Sequence, residues 1–216
     1  MKNTAMFVFA IALCSASLRA QKPGNSDNRG GLGFEEEPAA LTKIYSNLGP
    51  AASAYGGAGG VGVAGPLSML GFSSFVGMPF TPKENYNVKQ VRVAIQYGSG
   101  ANQVELSLYS DASGVPGVSL AGPVTVTNIP AIGTCCALTI ANLPAVAVTS
   151  GAQYWIVAST PTTGTGDDFE GTWEYVPPAK SSISFSESGG AWVSYRSGIT
   201  EVAGAVYGTA AGAATP

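Results

Sequence analysis

The chain has 216 residues, a formal net charge of −3 and no histidine. This length is enough for one sizeable core, and the scattered basic side chains form no cluster that could bind nucleic acid. Without imidazole, the chain cannot form a serine or cysteine nucleophile paired with histidine, nor a histidine-based zinc site.

Glycine and proline recur along the whole chain. Charged residues make up 11% of the chain, while 29 glycines and 14 prolines interrupt it. Few segments are long enough without one of these residues to form a helix. The composition therefore predicts an all-β fold.

The N-terminal region carries an export pattern. The apolar run Met6–Ser17 is too short to span a bilayer and ends in small residues. It predicts a signal peptide over residues 1–20, with a cut near Ala16 as the alternative, followed by a flexible lead-in over residues 21–40. No later run has the length of a membrane helix, so we expect no membrane span and a secreted protein, extracellular or periplasmic.

The domain is predicted over residues 41–208, with a C-terminal tail over residues 209–216. The segment GVGVAGP, inside a small-residue stretch, alternates glycine and valine as a flat strand would. In VKQVRVAIQY, period-two alternation predicts that one set of side chains faces the core and the other faces water, namely Val91, Val93, Ile95 and Tyr97 against Arg92, Ala94 and Gln96. The strand QVELSLYS follows after the short loop GSGAN, so the two strands are expected to form an antiparallel hairpin.

Further segments continue this spacing, among them PVTVTNI, CCALTI, AVAVTSGAQYWIVAST, GTWEYV, SISFS, AWVSYR and EVAGAVYG. Each is bounded by turn residues. About ten short strands with this spacing predict a two-sheet antiparallel sandwich of jelly-roll type.

Several short motifs together carry a family resemblance: IYSNLGP, FTPKENYNVKQVRVAIQYGSG, LSLYSDASGVPG, IPAIGTCCALT, SGAQYWIVAS and GAVYG. In this series the chain resembles secreted bacterial β-sandwich domains of the choice-of-anchor type and related uncharacterised exported proteins, over roughly residues 41–208. The resemblance implies an extracellular sandwich module without a defined biochemical role. The chain departs from the family pattern because it carries no sorting tail.

Cys135 and Cys136 are adjacent, and Cys14 leaves with the predicted signal peptide. Free exposed thiols do not persist in an oxidising compartment. Neighbouring Cα atoms lie about 3.8 Å apart, below the usual disulfide range, so a bond between these cysteines requires a turn or a strand edge. Three interpretations stay open: a vicinal disulfide that rigidifies a turn, two separate buried thiols, and intermolecular bridging or redox chemistry. Two thiols without imidazole do not satisfy zinc, which takes four ligands.

The segment TGTGDDFEGTWEY holds the densest group of acids, Asp167, Asp168, Glu170 and Glu174, of which the first three lie in a predicted loop. Calcium takes carboxylate and carbonyl oxygens from glycine-rich loops, so these loop residues are a candidate calcium site, although no EF-hand spacing is present. Two carboxylates beside aromatic rings are also the residue types of a glycoside hydrolase. A solvated loop is the simplest interpretation, and we expect no catalysis and no cofactor other than this calcium.

Aromatic residues give the last candidate site. Trp173 and Tyr175 alternate with Glu174 and share one face of a predicted strand, and Trp192 lies in another. A carbohydrate-binding module presents such rings on its surface, whereas most large rings in a sandwich of this size belong to the core. Burial of both tryptophans would remove the predicted aromatic stripe.

Two functions follow as expectations. The preferred one is a non-catalytic secreted module that acts by binding or assembly at or outside the cell surface, with a surface or matrix protein as partner. The alternative is a carbohydrate-binding module with a polysaccharide partner, and a carboxylate-based glycoside hydrolase is its least favoured form.

Overall fold

The structure is a computed structural model that describes residues 41–56, 59–180, 183–187, 190–195 and 200–211. The predicted signal peptide and lead-in lie outside these ranges, as does most of the predicted tail. The described residues form fourteen β-strands and one short 3-10 helix, with no α-helix. They accordingly include no helix long and apolar enough to cross a bilayer. The predicted all-β class is confirmed.

The smaller sheet is antiparallel and has four strands in the order β1, β14, β4, β8. Their bounds are β1 (Thr42–Ser46), β4 (Tyr86–Val93), β8 (Thr139–Val148) and β14 (Gly204–Ala210). Since β1 pairs with β14, the two ends of the domain are held in one sheet. The predicted domain boundary at residue 208 falls inside β14.

The larger sheet has ten strands, and its main path runs β13, β10, β2, β3, β9, β6, β7. In addition, β5 pairs with β10, β11 pairs with β3, and β12 pairs with β11. The bounds are β2 (Gly60–Ala64), β3 (Ser74–Phe80), β5 (Ile95–Ser99), β6 (Gln103–Asp111), β7 (Pro116–Thr127), β9 (Tyr154–Ser159), β10 (Glu170–Lys180), β11 (Ile183–Glu187), β12 (Val193–Tyr195) and β13 (Thr200–Val202).

Both sheets contribute side chains to one main hydrophobic core. Val91 and Val93 enter it from β4, Ile95 from β5, and Leu106 and Leu108 from β6, all fully buried. Residues two apart in a strand point to the same side, which is why the alternating pattern identified these inward positions. The prediction of a two-sheet antiparallel sandwich is confirmed.

The opposite face of VKQVRVAIQY is also buried, which corrects the expectation that Arg92, Ala94 and Gln96 face water. The Nε of Arg92 donates to Oε1 of Gln90 at 2.9 Å, and its guanidinium lies over the ring of Tyr207. Ala94 belongs to a second, smaller apolar cluster. Polar side chains tolerate this burial because neighbouring groups satisfy their hydrogen bonds.

The chain passes between the two sheets at Ala94, between β4 and β5, and again at Ala203, between β13 and β14. Three backbone hydrogen bonds join these corners: Ala94 N to Ala203 O at 3.0 Å, Ala203 N to Glu174 O at 2.8 Å, and Glu174 N to Ala94 O at 2.9 Å. Because alternation continues through Ala94, the sequence predicted one strand where the structure has two. Such divisions raise the predicted number of about ten strands to fourteen.

The predicted hairpin across GSGAN is wrong. β5 pairs with β10, whereas β6 pairs with β7 and β9. The intervening loop packs against the connection from β9 to β10, where Ala101 N–H donates to Oδ1 of Asp168 at 2.9 Å. Gly100 has a φ of 78°, and a Cβ there would clash with the carbonyl oxygen of Asp168. Packing against a distant segment thus prevents the local strand pairing.

Candidate functional site

The acidic loop, residues 164–170, runs from the connection after β9 to the first residue of β10 and is hydrogen-bonded to its neighbours. Asp168 accepts the hydrogen bond from Ala101 N–H through Oδ1. The carbonyl oxygen of Asp167 accepts from Leu67 N–H at 2.9 Å. These contacts join the acidic loop to two other loops, which is a structural use of its polar groups.

Glu170 is the first residue of β10, and its Oε2 is buried without a hydrogen-bond partner among the described residues. Within the described ranges, no three cysteine, aspartate or glutamate side chains converge in a way that could hold a metal ion. The structure therefore does not assemble Asp167, Asp168 and Glu170 into one site. Calcium binding stays a prediction, with a chelation test given below.

Trp173 lies in β10 between β2 and β5 and is fully buried. Its ring packs in the main core, and its Nε1 donates to Ala203 O at 2.9 Å, at a corner where the chain changes sheet. The hypothesis that Trp173 presents its ring to a ligand is wrong, because the side chain is inaccessible and its polar atom is paired.

Trp173 and Tyr175 do share one face of β10, but that face points towards the main core. Tyr175 is half-buried there, and burial raises the pKa of its phenol. On the opposite face, the Glu174 side chain is only 5% exposed and its Oε2 has no partner among the described residues. Burial raises the pKa of the Glu174 carboxyl. Neither face of β10 forms the predicted aromatic stripe.

Cys135 and Cys136 lie in the loop between β7 and β8, outside any strand. The strand predicted for CCALTI begins only at Thr139. The structure joins the two sulfur atoms in a disulfide across a cis peptide bond. Cys135 is exposed and Cys136 half-buried, so the interpretation as two buried thiols does not fit Cys135. The position in a turn is the one that a vicinal disulfide requires.

Two buried side chains hold this cysteine turn. The hydroxyl oxygen of Tyr55 lies 3.0 Å from the carbonyl oxygens of both Thr134 and Ala137. Gln96 donates from Nε2 to Thr134 O at 3.0 Å and accepts from Gly133 N–H through Oε1 at the same distance. The side chains of Tyr55 and Gln96 thus hold the cysteine turn in place.

A surface groove of about 420 Å³ opens on the outer face of the larger sheet. Its described lining combines aromatic rings, a carboxylate and hydroxyl groups, including those of Phe75, Tyr109, Trp192, Glu105, Ser159 and Thr162. The three rings are half-buried, so part of each is accessible from solvent. We call this feature the Trp192 groove. Of the three predicted ligand-binding residues, Trp192 is the one that lines it.

The floor of the Trp192 groove comes from adjacent strands. Glu105 on β6 pairs with Ser159 on β9, and Tyr109 lies further along β6 on the same side. Burial raises the pKa of the Glu105 carboxyl, and a hydrogen bond from the Ser159 side chain partly opposes this shift. Phe75 on β3 pairs with Ser186 on β11, so the floor extends over neighbouring strands.

Asp111 fixes the end of β6 that lies beyond Tyr109. Its Oδ1 accepts from Trp155 Nε1 at 2.8 Å and from Gln153 Nε2 at 2.9 Å, while Gly114 N–H donates to the same carboxylate. Trp155 is fully buried. These bonds make this end of the groove floor a fixed part of the sheet.

Part of the groove could have been found in the sequence. In QVELSLYS, alternation places Glu105 and Tyr109 opposite the core residues Leu106 and Leu108. Phe75 and Ser159 gave no such signal, because their proximity depends on pairing between strands that are distant in sequence.

The fold and the groove together define an all-β sandwich with a polar and aromatic surface site. Comparisons with known protein families, curated proteins and solved structures find no match to this chain.

Proposed function

We propose that this protein is a secreted, non-catalytic β-sandwich module that binds a ligand outside the cytoplasm in the Trp192 groove. The supporting observation is the groove itself, which combines half-buried rings with a carboxylate and hydroxyl groups from neighbouring strands and from the connection that follows β9. Concave sites of this composition are typical of ligand binding, because apolar surface gives affinity and a few polar groups fix orientation.

The composition of the groove supports a non-catalytic role. Glu105 is the one carboxylate among its described lining residues. Glycoside hydrolysis ordinarily uses two carboxyl groups on either side of the scissile bond. The acidic loop does not supply the second, since none of Asp167, Asp168 and Glu170 belongs to that lining. Binding without catalysis is the function that these residues favour.

The expected module could instead act by assembly, with the edge of a sheet pairing with another chain. β7 lies at the end of the larger sheet's main path, and Val118 and Leu120 on it are exposed. Pro123 lies within this strand, and proline has no N–H to donate to an added strand. An edge that lacks one donor is a poorer template for association than a complete one, so we favour binding in the groove.

Co-sedimentation tests this proposal. The purified protein is mixed with insoluble cell-envelope and extracellular material from its host, and the bound fraction is measured after centrifugation. We expect the wild-type protein to appear in the pellet and Trp192→Ala to stay largely in the supernatant. Met69→Ala is the matched control, because Met69 is 88% exposed and lies outside the groove lining.

Two outcomes would contradict the proposal. If the wild-type protein never sediments, binding to these materials is not its function. Equal sedimentation of wild type and Trp192→Ala would show that the binding surface lies outside the groove. Thermal unfolding of each variant is recorded alongside, so that loss of binding is compared only between folded proteins.

A further inference from the structure

The chemistry of the Trp192 groove narrows the class of ligand. Its rings offer flat apolar faces, and Ser159, Thr162 and Thr163 offer hydroxyl groups that both donate and accept hydrogen bonds. A fitting ligand has apolar C–H faces and several hydroxyl groups on the same small unit. A sugar ring has both, whereas a fatty acyl chain would leave the polar groups of the groove without partners.

The charge of the groove argues against an anionic ligand. No lysine or arginine occurs among the residues that the structure describes in its lining, and Glu105 contributes a carboxylate. A phosphate, sulfate or uronic acid carboxylate placed here would be repelled by Glu105 without compensation from a cation. The described lining therefore disfavours an anionic ligand.

Glu105 is placed to accept hydrogen bonds from such a ligand. The cross-strand neighbour Ser159 lies beside its carboxylate, and a carboxylate has acceptor sites for several donors. Hydrogen bonds to a charged acceptor are stronger than those between neutral groups, and they gain further in a partly desolvated site. Glu105 can thus fix the orientation of a hydroxylated ring.

Trp192 is held at the side of this carboxylate by strand pairing. It immediately precedes β12, whose Val193 pairs with Phe185 on β11. The next residue of β11, Ser186, pairs with Phe75 on the groove floor. This connection places the Trp192 ring beside the floor without burying it fully, so that its accessible surface can contact an apolar face of a ligand.

We propose that the Trp192 groove is a binding site for a neutral saccharide, in which Trp192 contacts a C–H face of the sugar and Glu105 accepts hydrogen bonds from its hydroxyl groups. This inference rests on the proposed function, because it names the ligand of the same groove.

The first experiment treats the insoluble material before co-sedimentation. One portion is oxidised with periodate, which cleaves vicinal diols of sugars, another is digested with a protease, and a third is untreated. We expect periodate to abolish the Trp192-dependent sedimentation and protease to leave it unchanged. Loss on protease digestion alone would identify a protein ligand, which overturns the saccharide inference while groove binding stands. The absence of wild-type sedimentation in the untreated portion would instead remove the proposed function.

The second experiment measures affinity on an array of neutral oligosaccharides, followed by titration with the best binder. We expect Trp192→Ala and Glu105→Gln each to weaken binding by about tenfold or more, and Trp192→Phe, which keeps a flat ring, to weaken it less. Thr163→Ser, which keeps the hydroxyl, serves as the conservative control in the same groove. Equal affinities for wild type and all variants would overturn the inference.

Competition separates the saccharide from a cationic ligand. Aromatic rings beside a carboxylate can also hold a quaternary ammonium group. We expect the best-binding oligosaccharide to displace the protein from the insoluble material and choline chloride to leave it bound. Displacement by choline at an ionic strength where sodium chloride has no effect would assign the groove to an ammonium ligand and overturn the saccharide inference.

Discussion

The acidic loop with β10 and the Trp192 groove contain the same kinds of residue, carboxylates beside aromatic rings, but use them differently. In the first region Asp168 binds the backbone of a neighbouring loop and Trp173 is fully buried with its Nε1 paired. In the groove, Glu105 on β6 and Trp192 beside β12 remain partly exposed.

This difference shows that residue type alone does not define a binding site. A polar atom that already has an internal partner gains little from a ligand, because binding only exchanges one hydrogen bond for another. A ring that is fully buried offers no surface to a ligand. The groups that matter are those that the fold leaves accessible, and the following predictions test this distinction.

Replacing Trp173 or Trp192 with alanine should give the largest difference in stability between the two regions. Trp173→Ala is expected to lower the free energy of unfolding by about 3–5 kcal/mol, since it leaves a cavity and releases the corner at Ala203. Trp192→Ala should cost less than half of this, because its ring is only half-buried. Urea denaturation of both variants measures the difference, and equal losses would contradict the contrast between the regions.

Asp168 should act through its bond to Ala101 rather than through a ligand. Asp168→Ala is expected to lower the free energy of unfolding by about 1–2 kcal/mol, because Ala101 N–H loses its acceptor. Asp168→Asn keeps an Oδ1 acceptor and is the matched control, with a smaller loss. Both variants should sediment with envelope material as the wild type does. Reduced sedimentation of a folded Asp168 variant would show that the acidic loop takes part in binding.

Glu174 should make stability depend on pH. Burial raises its pKa above the ordinary value near 4.5, so the folded protein holds this proton more tightly than the unfolded chain does. The stability due to Glu174 is therefore fully present below that value and is lost as pH rises through the raised pKa. Glu174→Gln should match the wild type at pH 4 and unfold about 2 °C higher at pH 7. The same difference in melting temperature between wild type and Glu174→Gln at every pH would refute this prediction.

The cysteine turn should contain no free thiol. Cys135 is exposed, so an unpaired thiol there would react readily with iodoacetamide. We expect intact mass spectrometry of the protein without residues 1–20, and hence without Cys14, to show no added group before reduction and two after it. Two alkylated cysteines before reduction would exclude the vicinal disulfide.

Calcium should have the smallest effect on the described fold. Because Asp167, Asp168 and Glu170 do not converge on one point, adding calcium or a chelator is expected to change the melting temperature by less than about 1 °C. A clear rise with calcium, lost in Asp168→Ala, would instead support the calcium prediction made from the sequence.

The sequence determined the fold class and much of the core. Glycine and proline excluded long helices, and period-two alternation identified Val91, Val93 and Leu106 as buried. It also identified the cysteine pair as a turn or strand-edge feature, because neighbouring side chains in a strand point to opposite faces. These conclusions needed only local geometry.

Tertiary structure decided which candidate groups remain accessible. Trp173 and Trp192 occur in similar local patterns, yet one is enclosed between β2 and β5 while the other lies beside a groove. Likewise, pairing of β6 with β9 placed Ser159 beside Glu105, although more than fifty positions separate them in the chain. Burial and strand pairing depend on segments that are far apart in sequence, so local periodicity cannot determine them.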